Sequence, residues 1–221
     1  MSANLNGLQK ELVQAWEQSD ALFDLLRPEA WYARPIPLRQ PFCFYLGHLP
    51  AFAFNQVGVA VLGLAPLHRE YCELFEFGID PLEKPDGPPA QWPTIPQIRA
   101  FRDDCRSRVL ELFDDVASLD SHDPLAANGR VFDMVIEHEL MHQETLVYMI
   151  AALDHTQKTA PSSYALPPHR PAPAQQSIYI PAGPIRLGAD WRSAPFLWDN
   201  ETPAYSVDVR GFHMDRYPVS N

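Results

Sequence analysis

The chain has 221 residues, a formal net charge of −11 at pH 7 and a hydrophobic content of 46%. This length and apolar content suit a folded domain with its own core and exclude a disordered chain. The excess of acidic residues argues against partners such as nucleic acid or an anionic membrane surface, because both attract basic patches. No apolar run reaches the roughly 20 residues of a membrane-spanning helix. Three scattered cysteines without a CxxC pair, and no apolar signal segment, predict a cytoplasmic protein with reduced thiols.

The first part of the chain favours helices. Apolar spacing predicts a helix over residues 4–26, which Pro28 ends. The strongly apolar run 41–64 predicts a second helix, and Pro50 is expected to kink it or to break it one residue earlier.

A long connection and two further helices follow. Residues 65–93 carry charge, proline and aromatic side chains, and we expect this connection to cover part of a functional site, as long loops often do. Thr94 and Gln97 form a capping-box pattern that opens a predicted helix over residues 95–118. Apolar spacing predicts a fourth helix over residues 125–153.

The texture of the sequence changes after a proline-rich stretch. We divide the chain into a helical bundle over residues 1–155, a linker over 156–176 and the start of a second domain over 177–221. About 45 residues bury too little surface to form a stable domain by themselves. The fold class is therefore mainly α, followed by the beginning of an α+β domain. The short strands predicted in this last part are residues 177–183, 185–188 and 205–209.

The fourth helix carries His138 and His142, which lie on one face because they are four residues apart. That face follows the apolar stripe of the helix, so both imidazoles point inward. One reading is a pair of core histidines bonded to their surroundings; the reading we favour is a pair of metal ligands. His48 is a third inward histidine and the natural third ligand. We expect His155 and His169 to be exposed to solvent.

Nearby carboxylates offer other interpretations. HELMH matches the zinc-peptidase motif HExxH, in which Glu139 would be the general base, but the best third histidine precedes the motif on another helix. Glu144 lies about 200° around the helix from His142 and is better read as a salt-bridge partner for another helix. Glu137 and Asp133 are candidate acceptors for the imidazole N–H groups. Three imidazoles leave coordination positions open, and iron(II) and zinc both accept them.

EHELMHQET around the pair and FYLGHLPAF around His48 resemble the ergothioneine-biosynthetic sulfoxide synthases. These are non-haem iron(II) enzymes with a DinB-like four-helix bundle and a domain like the formylglycine-generating enzyme. The resemblance covers nearly the whole chain. The other stretches that carry it are FEFGIDP with QWP at 75–93, IPAG at 180–183, WDNETP at 198–203 and GFHMDRYPVSN at 211–221.

The resemblance implies that His48, His138 and His142 bind Fe(2+). It also implies that the substrates are small molecules: dioxygen, hercynine and a thiol, either cysteine or γ-glutamylcysteine, which are joined as a sulfoxide. Family members supply a catalytic tyrosine and much of the hercynine pocket from the second domain. Because the sequence ends a short way into that domain, no catalytic residue is assigned, and we expect no turnover by these 221 residues alone.

Three alternatives stay open. Members that use γ-glutamylcysteine carry arginines after the first ligand helix, whereas Lys84 is the only basic residue in 78–90. The first alternative is therefore a selenosugar donor with a selenoneine product. The second alternative is a DinB-type thiol transferase with zinc or nickel, and the third is a metal-binding scaffold without activity.

Overall fold

The computed structural model divides the chain into two compact units, Met1–Pro161 and Ser162–Asn221, and this division falls within the predicted linker. Lys84, His169 and the loop of residues 78–90 are not among the residues that the structure describes. The residues that the structure describes are 2–76, 91–119, 125–161, 165, 168, 171, 173–191 and 193–219.

The first unit is helical, as predicted. The helices are α1 Ser2–Phe23, α2 Phe42–Phe54, α3 Arg69–Phe75, α4 Ile95–Glu111, α5 Phe113–Ser118 and α6 Arg130–Ala152. Helix α1 packs against α6, and α2 contacts α3, α4 and α6, so the four long helices α1, α2, α4 and α6 enclose one core. Within the described residues, no helix is long and apolar enough to cross a membrane.

Of the two outcomes expected at Pro50, a kink or a break one residue earlier, the break is wrong. Helix α2 continues through Pro50 to Phe54 and then becomes a π-helix over Asn55–Val61. Nearly every side chain of α2 is buried, and this packing holds the helix although the proline removes one backbone hydrogen bond. Gly63, which has the positive φ of 68° typical of a helix C-terminus, ends the segment and donates its N–H to the Val59 carbonyl.

Two other boundaries differ from the predicted ones. Leu112, at φ −85° and ψ −1°, separates α4 from α5, where the sequence predicts one helix over 95–118. The last helix begins at Arg130 rather than near residue 125. Asn128 and Gly129 have positive φ angles of 60° and 74°, which a right-handed helix cannot contain.

The connection after the second helix contains α3, which the sequence pattern does not predict. At seven residues, α3 is too short to show a reliable periodicity. The capping box before α4 is confirmed, because the Thr94 N–H donates to Gln97 Oε1 over 2.9 Å.

Close packing joins α2 to α3 at Gly47. A Cβ atom at Gly47 would lie 2.5 Å from the ring of Phe75, which is the last residue of α3 and is completely buried. The ring is held in place by Trp92 and Phe101, whose ring centroids lie 6.2 Å and 5.9 Å away. Only glycine allows this approach of the two helices.

The second unit contains two antiparallel strand pairs. Strand β1 (Ser177–Ile180) pairs with β4 (Phe212–Asp215), and β2 (Gly183–Leu187) pairs with β3 (Tyr205–Val209). The predicted strand over 205–209 is confirmed, whereas the first turn falls earlier than predicted, after Ile180. None of the described residues of this unit is buried, so they do not enclose a core of their own.

We predict that Gly47→Ala destabilises the protein by about 1–3 kcal/mol, the usual cost of overpacking a core. Gly7→Ala is the matched control, because a Cβ there meets nothing within 4 Å and alanine favours the helix by about 0.5–1 kcal/mol. Urea unfolding of both variants measures the difference. A Gly47→Ala variant as stable as the unmodified protein would contradict the packing described here.

Candidate metal centre

Three histidines from two helices meet inside the bundle. Helix α2 carries His48, and α6 carries His138 and His142, whose side chains are 6%, 6% and 0% exposed. The ring centroids of His48 lie 5.0 Å from that of His138 and 4.9 Å from that of His142, and the pair on α6 is 4.5 Å apart. The structure thus brings together the three histidines that the sequence singled out.

Three of the six ring nitrogen atoms of this group are buried without a hydrogen-bond partner. His48 Nδ1 lies 2.6 Å from the Phe75 carbonyl oxygen and so donates its proton there. Its Nε2 atom and both ring nitrogens of His142 are buried without a hydrogen bond. Leaving a buried polar atom unpaired costs about 1–3 kcal/mol, so this arrangement calls for a bound group.

Aromatic rings enclose the histidines. Phe44 stacks on His48 at 4.9 Å between ring centroids, and Phe52 stacks on His138 at 3.7 Å. The Tyr45 ring lies 5.4 Å from the His142 ring. This apolar surround limits access of water to the imidazoles and fixes their orientation.

Burial keeps all three imidazoles neutral. It lowers the pKa of His48 to about 4, although the bond to the Phe75 carbonyl opposes this change. Burial, helped by His48 and Arg39, lowers the pKa of His142 to about 3. Burial and the two neighbouring histidines also lower the pKa of His138 well below its usual range. Neutral imidazole is the form that binds a metal ion, so protons do not compete at neutral pH.

The group fits a single metal ion. One ligand atom from each of His48, His138 and His142 lies within 4.8 Å of the others, and these residues form the one such cluster among the described residues. An ion between them would take the lone pairs that have no partner in the protein. Three protein ligands leave coordination positions free for substrate, which is the pattern of catalytic rather than structural sites.

Glu139 does not belong to this centre. Its carboxylate is buried and accepts a hydrogen bond of 2.5 Å from Ser19 Oγ of α1. Gln143, four residues later, also bonds to α1, through the Ala15 carbonyl and Ser19. Helix α6 therefore presents one residue pair to α1 and the adjacent histidine pair to α2. The role of general base suggested by the HExxH pattern does not fit this geometry.

The other acidic candidates also lie elsewhere. Glu137 is exposed, and Asp133 is half-buried near Glu11 and Arg130. Neither carboxylate accepts a hydrogen bond from a histidine of the centre. The Phe75 carbonyl of α3 is the acceptor instead. Glu144 is exposed, and the described part of the chain contains no salt bridge to it, in contrast to the expectation from the sequence.

A buried centre of three neutral imidazoles defines the class of the first unit as a helical bundle with a histidine cluster that could bind a metal ion. The sequence profile of the DinB superfamily matches residues 11–146, which include all three histidines. The chain belongs to the DinB superfamily.

Individual relatives extend the comparison. Ergothioneine biosynthesis protein 1 of Neurospora crassa is 30% identical over 239 residues, which cover 93% of this chain and 26% of that protein. Hercynine oxygenase of Mycolicibacterium thermoresistibile is 38% identical over 125 residues, 57% of this chain and 26% of that enzyme. The formylglycine-generating enzyme of Bos taurus is 35% identical over 71 residues, 32% of this chain and 18% of that enzyme.

These matches confirm the resemblance read from the motifs around His48 and His138. They also agree with the mainly α class followed by strands of the formylglycine-generating-enzyme type. The chain spans only 26% of the length of the first two relatives.

Glu139 gives a testable pH dependence. Burial raises its pKa from 4.5 to about 7, although Arg106 and Ser19 oppose the rise. Between these values the folded state holds a proton that the unfolded chain has lost, so stability falls as the pH rises through this window. The total loss is about 3 kcal/mol, at about 1.4 kcal/mol per pH unit.

We predict that Glu139→Gln removes this component. The free energy of unfolding, measured with urea on metal-free protein at pH 5 and pH 8, will then change with pH by about 3 kcal/mol less than in the unmodified protein. Glu144→Gln, an exposed acid on the same helix, is the control and should keep the original dependence. An identical pH profile for Glu139→Gln and the unmodified protein would refute the assignment.

Proposed function

We propose that this chain holds one iron(II) ion through His48, His138 and His142 and acts in ergothioneine biosynthesis. In this role it would serve the oxygen-dependent formation of a C–S bond between a thiol and the imidazole of hercynine. The single observation that carries the proposal is the buried histidine cluster with unpaired nitrogen atoms. The names of the relatives, ergothioneine biosynthesis protein and hercynine oxygenase, support the pathway.

The proposed reaction balances with dioxygen as the only oxidant. One S–H and one imidazole C–H bond break, a C–S bond forms, one oxygen atom stays on sulfur as the sulfoxide, and the other leaves as water with both hydrogens. When bound, iron supplies the site at which thiolate and dioxygen are activated and held in contact.

The residues of the chain prepare and protect this site. The Phe75 carbonyl holds the Nδ1 proton of His48, which leaves Nε2 free for the metal. Phe44 and Phe52 stack on ligand rings and restrict the entry of water, which would compete with the substrates. No carboxylate of the described residues joins the cluster, so a divalent ion would keep its full charge and favour an anionic thiolate ligand.

The proposal also specifies the molecule that donates sulfur to hercynine. We favour a thiol, cysteine or γ-glutamylcysteine, over a selenosugar, because the relatives are named for ergothioneine biosynthesis and hercynine. Three free cysteines, all buried, suit a reducing cytoplasmic compartment.

Metal content and thiol binding test the proposal. After anaerobic loading with iron(II), we expect one iron per chain, and we expect His138→Ala to weaken binding more than 100-fold, beyond the roughly 10–100-fold typical of residues behind the ligands. His155→Ala is the matched control, because His155 is exposed and outside the cluster.

Thiol binding is read from the electron paramagnetic resonance spectrum of the nitric oxide adduct. Addition of cysteine or γ-glutamylcysteine should change this spectrum, and hercynine should change it further. A strong preference for zinc, with conjugation of thiols that consumes no oxygen, would instead support the transferase. Iron bound equally by His138→Ala would refute the assigned site.

A further inference from the structure

Unpaired polar atoms continue beyond the ligand cluster, on the side of His142. The hydroxyl of Tyr45 and Oε1 of Gln40 are buried without a hydrogen bond, as are both nitrogens of His142. Tyr45 and His142 are 0% exposed and Gln40 is 6% exposed. Such atoms are rare in proteins, and three residues of this kind in one region need a common explanation.

His48 shows what His142 lacks. A metal-bound histidine uses one nitrogen for the ion and donates the proton on the other to an oxygen acceptor, which fixes the ring. The Phe75 carbonyl fills this role for His48. When one nitrogen of His142 binds the metal, the other still carries a buried N–H group without an acceptor.

The charged groups near His142 cannot supply this acceptor. Arg39 contains only donors, and its Nε atom is already bonded to the Tyr148 hydroxyl over 2.6 Å. The carboxylate of Glu139 is bonded to Ser19 of α1. Neither of these side chains gives His142 an acceptor, whereas Tyr45 and Gln40 carry buried neutral oxygen atoms without a partner.

Tyr45 is placed to fill the gap. It lies on α2 three residues before His48, and its ring centroid is 5.4 Å from that of His142, with the ring planes inclined by 53°. Burial raises the pKa of Tyr45 to about 12, and both Arg39 and the nearby main chain of Gln40 oppose the rise. That main chain lies near the Tyr45 hydroxyl but outside hydrogen-bond geometry. The hydroxyl therefore keeps its proton at neutral pH and can both accept and donate.

We propose that Tyr45 and Gln40 are positioning residues that hold His142 through a buried hydrogen-bond chain. In this arrangement the N–H of His142 donates a hydrogen bond to the Tyr45 oxygen, and the Tyr45 hydroxyl donates one to Gln40 Oε1. In the structure these atoms lie beyond direct hydrogen-bond geometry, and the hydrogen-bond chain closes when a bound metal ion fixes the His142 ring. The inference rests on the metal site proposed above.

The hydrogen-bond chain through Tyr45 and Gln40 has a consequence for the charge on the metal ligands. A carboxylate behind a metal-bound histidine raises the basicity of the ligand, and so donates charge to the metal. A neutral tyrosine and amide orient the ring without adding that charge. His48 is oriented by a neutral carbonyl in the same way, so a metal ion bound here would be held by fixed imidazoles and would keep its electrophilic character.

The test is the metal affinity of Tyr45→Phe, which removes one hydroxyl and keeps the ring. Anaerobic titration with iron(II) against a chelator should show binding weakened about 10–100-fold, the range for residues behind the ligands. Gln40→Met, which removes the acceptor at similar size, should weaken binding in the same direction and carries the test if Tyr45→Phe does not fold. The double variant should bind about as weakly as Tyr45→Phe alone, because both substitutions break one chain.

A spectroscopic readout and a control separate positioning from general destabilisation. Replacing the metal with cobalt(II) gives an absorption spectrum that reports ligand geometry, and Tyr45→Phe should change it. Tyr32→Phe makes the same chemical change in an exposed tyrosine that donates to the Pro93 carbonyl, and it should leave affinity and spectrum unchanged.

Tyr45→Phe with the affinity and cobalt spectrum of the unmodified protein would overturn the hydrogen-bond chain while the metal site stands. Additive effects in the double variant would overturn the single chain. Metal binding that survives His138→Ala would overturn both this inference and the proposed function.

Discussion

The burial of three imidazoles without enough protein partners is the constraint on which the first unit depends. An unpaired nitrogen in the core costs free energy, and His48 and His142 together contribute three such atoms. A protein can tolerate this arrangement when a metal ion takes the lone pairs, because binding then contributes to the stability of the folded state. The surrounding aromatic rings strengthen the constraint, since they keep out the water that would otherwise satisfy the nitrogens.

The helices are arranged so that this cluster is held from two sides. Helix α6 uses adjacent faces for different purposes: His138 and His142 meet α2, while Glu139 bonds to α1. On the other side, the missing side chain of Gly47 lets α3 approach α2 closely. That approach brings the Phe75 carbonyl to His48, so a core contact between two helices also orients a metal ligand.

Much of this centre follows from local sequence patterns. The spacing of His138 and His142 fixes their common face whatever the rest of the fold, and the apolar stripe on that face indicates burial. The acceptor of His48 could not be predicted in the same way, because a backbone carbonyl leaves no mark on the sequence. Glu139 was ambiguous for another reason: HExxH gives its angle on the helix, whereas only the packing shows that α1 occupies that side. The predicted break at Pro50 is wrong because tertiary packing outweighs the local preference of proline. The predicted start of the last helix is wrong because Asn128 has a left-handed backbone.

Together these observations describe a DinB bundle whose core brings three histidines of α2 and α6 close enough together that they could hold one metal ion. The most direct measurement is X-ray absorption at the iron edge of the chain loaded with one equivalent of iron(II). We predict scattering from three imidazole rings with oxygen ligands in the remaining positions, and loss of imidazole scattering in His142→Ala. A spectrum dominated by oxygen ligands, and the same in His142→Ala, would contradict a metal centre formed by His48, His138 and His142.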